Sequence, residues 1–193
     1  MDLRKRPLVA GAAALFVAGV ANRIIGTLYR VLLVRTAGEE VVGLMQMTWP
    51  IYKVAWTLAT AGLYVAIARL SADALGSRRP DQARAYGRVG LALTLGTALL
   101  SAGFLLATRH LFANHFLTDP RTGVTLAILP LLLVPAALSH SLRGVLQGQE
   151  RLTPVAVSNL LEACARVPIV LFLVAWLLPH GAEWAAGGIA IGL

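Results

Sequence analysis

Asn22-Arg23-Ile24-Ile25-Gly26-Thr27-Leu28-Tyr29-Arg30 sets two arginines inside a segment that is otherwise apolar from Leu8 to Val34. That segment holds about 27 residues and rises roughly 40 Å as an α-helix, enough to cross a bilayer with some tilt. Arg23 falls near its middle, where a guanidinium costs at least ~2.5–3.5 kcal/mol on insertion scales, so it must face protein or water. Arg30 follows two turns later on the same stripe, and Asn22 and Gly26 extend that stripe at spacings of four. Arg30 is near enough to the end of the segment to reach the membrane surface instead. Arg23 either lines a polar cavity or belongs to a buried ion pair.

The composition fixes the class. The chain has 193 residues, 58% hydrophobic and 13% charged, with a mean hydropathy of +0.73. Soluble domains carry about 25% charged residues, so the expected class is an all-α integral membrane protein. Seventeen Lys and Arg against nine Asp and Glu give a net charge of +8. Such a balance suggests nucleic acid in a soluble protein, but here the cations cluster at the ends of apolar runs, and no basic patch with interleaved aromatics appears. Cys164 is the only cysteine, which leaves no disulfide framework and no metal-ligand spacing. Met1 to Arg6 is basic, yet Leu8–Val34 is too long for a signal-peptide core, so this first helix is retained.

Apolar segments are expected at 8–34, 41–70 (interrupted by Pro50 and Gly62), 89–107, 123–146, 153–178 and from Trp184 to Leu193. Thr118-Asp119-Pro120-Arg121 and Thr153-Pro154 look like helix starts, because proline suits the first helical position. Arg4, Lys5, Arg6, Arg69, Arg78, Arg79, Arg84, Arg88, Arg143 and Arg151 fall on the side of the N-terminus, against Arg35, Arg109 and Arg121 opposite. The positive-inside rule then places the N-terminus in the cytoplasm of a multi-pass plasma-membrane protein. A helix stopping in hydrocarbon leaves four carbonyls without partners, so residues 1–193 are expected to be the N-terminal bundle, about six spans, of a longer chain.

Within the spans stand Arg23, Arg30, Lys53 and Arg166 against one carboxylate, Glu162. Glu162 precedes Arg166 by four, the favourable order for a helical pair, and such a pair serves equally to hold helices in register. Lys53 follows Pro50, whose ring removes a backbone bond; it can face a central site or satisfy the freed carbonyl. The surplus of cations calls for a hydrated cavity that receives an anion such as phosphate or pyrophosphate. His140, between Ser139 and Ser141, reads as a relay or as a locally bonded structural histidine. Trp176 and Trp184 suit an aromatic belt, and Gly43, Gly62, Gly87, Gly90, Gly96 and Gly103 suit close helix packing.

Several stretches together carry a resemblance: Asn22-Arg23-x-x-Gly26-x-x-Tyr29-Arg30, Gly43-Leu44-x-Gln46-Met47-x-x-Pro50-Ile51-Tyr52, Thr60-Ala61-Gly62, Leu142-Arg143-Gly144-x-x-Gln147-Gly148, and Thr153-Pro154 followed by Glu162 and Arg166. The chain resembles the polysaccharide biosynthesis family typified by stage V sporulation protein B. That family lies within the multidrug, oligosaccharidyl-lipid and polysaccharide flippase superfamily. The resemblance implies an all-helical transporter of about fourteen spans in two pseudo-symmetric bundles, of which this chain is the first. It implies a flippase that moves an undecaprenyl-pyrophosphate-linked oligosaccharide or peptidoglycan precursor by alternating access, in partnership with membrane lipids and a C-terminal half. Arg23 and Arg30 then match a cavity-facing arginine pair, and Arg143 and Gln147 match a motif at the cytoplasmic end of the fourth helix, with either a gating or helix-packing role or a substrate contact. The charge pattern itself adds Lys53, Glu162 and Arg166 as expected headgroup contacts, and Asn22, Gly26 and Pro50 as gating or helix-packing positions. The chain departs from the lipid II flippase branch at Trp56–Gly62, which lacks basic residues before the glycine, and so leans to the sporulation-type branch.

No nucleotide-binding context is visible, so no cofactor is expected, and energy would come from an ion gradient (sodium or proton) or the membrane potential. A multidrug/cation antiporter of the same superfamily should favour cavity carboxylates. A membrane-embedded glycosyl- or acyltransferase would need a His/Asp/Glu constellation at the membrane surface. Beyond Glu162 neither pattern is found, and the chain is read as a non-enzyme.

Overall fold

The computed structural model describes residues 5–60, 62–117, 119 and 121–191. Its helices are α1 (Lys5–Thr60), α2 (Leu63–Gly76), α3 (Pro80–Leu111), α4 (Thr122–Gly148), α5 (Leu152–Leu177) and α6 (Ala182–Ile191). A π-helical turn, Phe112–Phe116, ends α3, and a 3₁₀ turn, Leu178–His180, follows α5. Four stretches are long and apolar enough to cross a membrane: Gly11–Gly76, Pro80–Phe116, Thr122–Gly148 and Leu152–His180. The protein is an all-helical membrane protein.

The first of these stretches has 66 residues, which would measure roughly 100 Å if straight, about three hydrocarbon cores. It is folded back on itself at Gly38, whose φ of 82° and ψ of 165° are open to glycine and strained for residues with a Cβ. The neighbours establish the reversal. Before Gly38, Gly11 lies beside Leu152, and Tyr29 shares a cavity with Val167, so this arm runs parallel to α5. After it, Glu40 pairs with Arg121 and Trp56 packs on His140, so the second arm runs parallel to α4. Arg143 bonds Glu162, which makes α4 and α5 antiparallel and hence also the two arms.

Gly62, in the left-handed region at φ 73°, breaks the segment expected at 41–70 into the second arm of α1 and α2. The carbonyls at the end of α1 lose their own helical donors there; Thr97 Oγ1 of α3 donates to the Ala59 carbonyl at 2.6 Å. The third segment is longer than hydropathy at 89–107 indicates, because Pro80 starts α3 and the charged 80–88 region is helical. Charge at a helix end exposed to water costs nothing in helix propensity, so the expected loop at 71–88 shrinks to 77–79. The fourth and fifth segments stand within two residues of their expected bounds. Thr118, Pro120, Ala61, Met1 to Arg4 and the last two residues of the sixth segment lie outside the described residues.

α4 is the mast of the bundle. Leu126, Leu129, Leu133 and Ala137 are fully buried along one face, and Ser141, Gly144 and Gly148 continue it against α2 and α3. Thr94 donates to Ser141 Oγ at 3.1 Å, a buried tie between α3 and α4. Of the glycines singled out in the sequence, Gly87 and Gly90 do face neighbours, Val145 and Ile67, whereas Gly43, Gly96 and Gly103 face open space. The closest approaches to backbone are elsewhere: a Cβ on Gly148 would stand 2.6 Å from the Ala68 carbonyl oxygen, and one on Gly144 2.9 Å from that of Tyr64. Backbone cannot yield as a side-chain tip can. Gly148→Ala should therefore destabilise the bundle by about 1–3 kcal/mol, while Gly43→Ala should be neutral or slightly stabilising. Thermal unfolding of the purified variants in one detergent checks the contrast.

The start of α4 is held by a charge clamp outside the membrane-spanning segments. Arg121 Nη2 donates to Asp119 Oδ2 at 2.8 Å and Arg121 Nη1 to Glu40 Oε1 at 2.7 Å, and Thr122 Oγ1 donates to the Asp119 carbonyl. The Arg121 side chain, and then its backbone N–H, hold the Asp119 carboxyl below the usual carboxylate range. A depressed folded-state pKa contributes stability above the ordinary carboxylate value, and that contribution is lost as the pH falls through the folded value. Protection of the Arg121 and Thr122 amides, measured against their intrinsic exchange rates, should thus fall on acidification below about pH 4, and Asp119→Asn should show the lower protection already at neutral pH. Exchange mass spectrometry across pH 3–7 in detergent reads this out.

Candidate functional site

The second arm of α1 carries Trp49, Tyr52, Lys53 and Trp56 at spacings of three and four, one helical face. The rings tilt along it, Trp49 to Tyr52 at 5.6 Å and Tyr52 to Trp56 at 6.4 Å between centroids, and Lys53 Nζ sits 5.7 Å from the Trp49 ring. This face forms one wall of a cavity of about 520 Å³. Leu132, Pro135, Ser139, His140 and Arg143 of α4 form the second wall, and Glu162 and Arg166 of α5 with Ile191 of α6 complete it. A second cavity, about 270 Å³, opens between the first arm of α1, through Asn22, Ile25, Gly26 and Tyr29, and Asn159, Glu162, Ala163 and Arg166 of α5.

Arg143, Glu162 and Arg166 line both cavities and so join them. Arg166 Nη2 donates to Glu162 Oε1 at 2.5 Å, and Arg143 Nη2 donates to Glu162 Oε2. The charge of Arg166 also reaches the hydroxyls of Tyr29 and Tyr52, one on each arm of α1. Cations are thus gathered where helices from both arms, α4 and α5 converge, and the larger cavity has the size of an ordinary small-ligand site.

Of the residues singled out in the sequence, Asn22 and Gly26 line the smaller cavity, Lys53 the larger, and Arg143, Glu162 and Arg166 both. Arg23 and Arg30 share a stripe, as their spacing requires, but that stripe lies one residue round the helix from Asn22 and Tyr29. Both arginines are exposed and line neither cavity. Pro50 faces an apolar cleft of about 400 Å³ with Leu58, Leu100, Phe104 and Phe112, away from the cations. Gln147 Oε1 accepts from the Tyr64 hydroxyl, while the Tyr64 ring stacks on His140 at 4.4 Å and Trp56 meets His140 edge-on at 5.5 Å. These contacts fasten α2, just past its glycine break, to α4 beside the cavity; His140 is packed between rings.

Three further aromatics of the site, Trp49, Tyr52 and Trp56, were open to detection by their spacing alone. The Arg143–Glu162 pair was not, since it depends on the register of α4 against α5.

Comparison with known proteins shows the family. A family profile described as "Polysaccharide biosynthesis protein" matches residues 8–192. The chain belongs to this family. Stage V sporulation protein B of Bacillus subtilis (strain 168) is 35% identical over 189 residues, 96% of this chain and 36% of that protein. The uncharacterized membrane protein YabM of the same strain is 27% identical over 93% of this chain and 33% of its own length. Protein DETOXIFICATION 49 of Arabidopsis thaliana is 32% identical over 95 residues, 47% of this chain and 19% of that protein. The chain therefore spans about a third of the length of its two Bacillus relatives. No solved structure matches significantly.

The Tyr64–Gln147 bond is one polar tie between α2 and α4, reinforced by the ring stack. Tyr64→Phe and Gln147→Leu should each cost about 0.5–1.5 kcal/mol, and the double variant little more than either alone, because they remove the same bond. Denaturant unfolding of the four proteins in one detergent measures the coupling; fully additive losses would refute the bond.

Proposed function

We propose that this chain is the N-terminal bundle of a transporter that flips a lipid-linked cell-envelope precursor, of the undecaprenyl-pyrophosphate type, across the plasma membrane by alternating access. The observation that carries the reading is the gathering of Lys53, Arg143 and Arg166 around Glu162, the one carboxylate lining the two joined cavities, within a polysaccharide biosynthesis protein. A diphosphate matches such a set: guanidinium forks take paired oxygens, and a lysine adds a mobile point charge. Trp49, Tyr52 and Trp56 supply flat faces on which a sugar ring can rest. The lipid tail remains in hydrocarbon.

In this reading the chain makes about six crossings: the two arms of α1 (the second continued by α2), then α3, α4, α5 and α6. The N-terminus, the α2–α3 corner and the α4–α5 corner, where Arg78, Arg79, Arg84, Arg88 and Arg151 lie, are cytoplasmic. Arg23 and Arg30 continue the cationic surface beyond the two cavities, toward the remaining helices of the fourteen-span protein. The protein does no covalent chemistry, and an ion gradient or the membrane potential drives the cycle. A multidrug/cation antiporter of the same superfamily would attract cations with carboxylates, but the carboxylate here is engaged by two arginines.

The test is complementation and direct flipping by the full-length transporter. Lys53→Ala and Arg166→Ala should each lower transport of undecaprenyl-pyrophosphate-linked substrate about tenfold or more, the loss of one charge-assisted contact, with expression and fold unchanged. Arg84→Ala, on the exposed start of α3, should leave it intact. Arg23→Gln at wild-type transport would remove Arg23 from the substrate path, and wild-type transport by both Lys53→Ala and Arg166→Ala would overturn the assignment.

A further inference from the structure

The two cavities meet at a carboxylate whose oxygens are divided between two helices. Glu162 Oε1 takes the guanidinium of Arg166 on α5, and Glu162 Oε2 takes that of Arg143 on α4. A pair kept only to lock helices together is best covered, with its acid sealed beneath neighbouring side chains. Here the acid is the most open of the three, with 41% of its side chain exposed against 32% for Arg166 and 21% for Arg143. All three side chains line both cavities, and the carboxylate bridges the two guanidiniums there.

We propose that Arg143 and Arg166 form an anion site whose resident occupant is Glu162, and that the phosphate of the incoming lipid displaces this carboxylate. The inference rests on the headgroup reading above and changes two roles within it: Arg143 becomes a substrate contact, and Glu162 a competitor of the substrate. Two guanidiniums placed to hold the two oxygens of a carboxylate are placed to hold two oxygens of a phosphate, since both anions present paired oxygens to the same fork. Between cycles Glu162 neutralises part of the charge of the two guanidiniums it bonds. Its presence lowers the fraction of sites open to substrate and so weakens apparent affinity, which favours release on the far side. Displacement also breaks the Arg143–Glu162 tie between α4 and α5, so headgroup arrival loosens two walls of the cavity at the moment the cavity fills. Lys53, across the larger cavity, is positioned to take the second phosphate.

The inference predicts an effect opposite in sign to that of an ordinary contact. Glu162→Gln keeps the size and one acceptor oxygen but removes the competing charge. In the purified full-length transporter in nanodiscs, E162Q should bind undecaprenyl pyrophosphate about five- to thirtyfold more tightly than wild type, whereas Arg143→Ala and Arg166→Ala should bind it at least about tenfold more weakly. Undecaprenol, which lacks phosphate, should bind all four proteins alike. Glu162→Asp, which retracts the carboxylate and keeps the charge, provides a second reading with a smaller gain in affinity. If E162Q fails to fold, tighter binding by E162D supports the inference, and equal or weaker binding overturns it. Equal or weaker binding by E162Q, with Arg166→Ala still weakened, overturns the displacement inference and leaves the flippase reading standing. Absence of phosphate-dependent binding in the wild type overturns both.

Discussion

A charge at bilayer depth has no bulk solvent to fall back on, and the architecture follows from meeting that demand. Glu162 is the centre of it. Its two oxygens are shared between Arg166, one turn along the same helix, and Arg143, on the helix that precedes it. The bond to Arg143 can form only if α4 and α5 run antiparallel in one register. The arms of α1 then sort themselves by polarity: the first lays Asn22 and Tyr29, the second Lys53 and Tyr52, against the same cationic floor. The cavities are consequences of this convergence. Side chains that must keep company with water or with each other hold the helices apart at that level, while purely apolar contacts close them elsewhere.

The apolar contacts use a different device. α4 packs on α2 through Gly144 and Gly148, where the carbonyl oxygens of Tyr64 and Ala68 come closer than a Cβ would allow. α6 is buried through Ala185, Ala186, Gly187, Gly188 and Ala190 in the same way. In lipid, apolar surface alone drives no association, so contact area and backbone approach take over that role. Polar ties reinforce it where backbone geometry fails. Thr97 reaches the Ala59 carbonyl near the Gly62 break, and Tyr64 reaches Gln147 on the far side of the same break. The two ties hold the chain on either side of the break, and α2 lies along α4.

Much of this was legible in the chain. The blocks of hydropathy locate α4 and α5 within two residues, and Gly62 announces its own interruption. Two kinds of feature were hidden. The first is helix that needs no membrane: residues 80–88 carry Asp81, Arg84 and Arg88 and so look like a loop, but a helix end in water tolerates charge, and Pro80 starts it well. The second is rotation about a helix axis. The stripe of Arg23 and Arg30 and the stripe of Asn22 and Tyr29 are about 100° apart, and periodicity alone ranks them equally. Packing against α5 turns the second inward. The glycines show the same limit, since Gly90 and Gly96 are indistinguishable by sequence spacing but only Gly90 has a neighbour, Ile67, at its Cα. Contacts between helices, unlike helices themselves, are written in pairs of positions.

The position of Arg23 and Arg30 gives the site its direction. They stand beside the smaller cavity, exposed, on a helix whose opposite face is already packed. Cations that flank a cavity widen the region of positive potential from which an anion is drawn, whereas cations at its floor decide how tightly it is held. Exposure is not graded along the bundle: Arg143 and Arg166, at the shared carboxylate, are half-buried, whereas Lys53, like Arg23 and Arg30, is exposed. The cations best placed to hold an anion therefore stand where the two cavities join, with more open cations on either side of them.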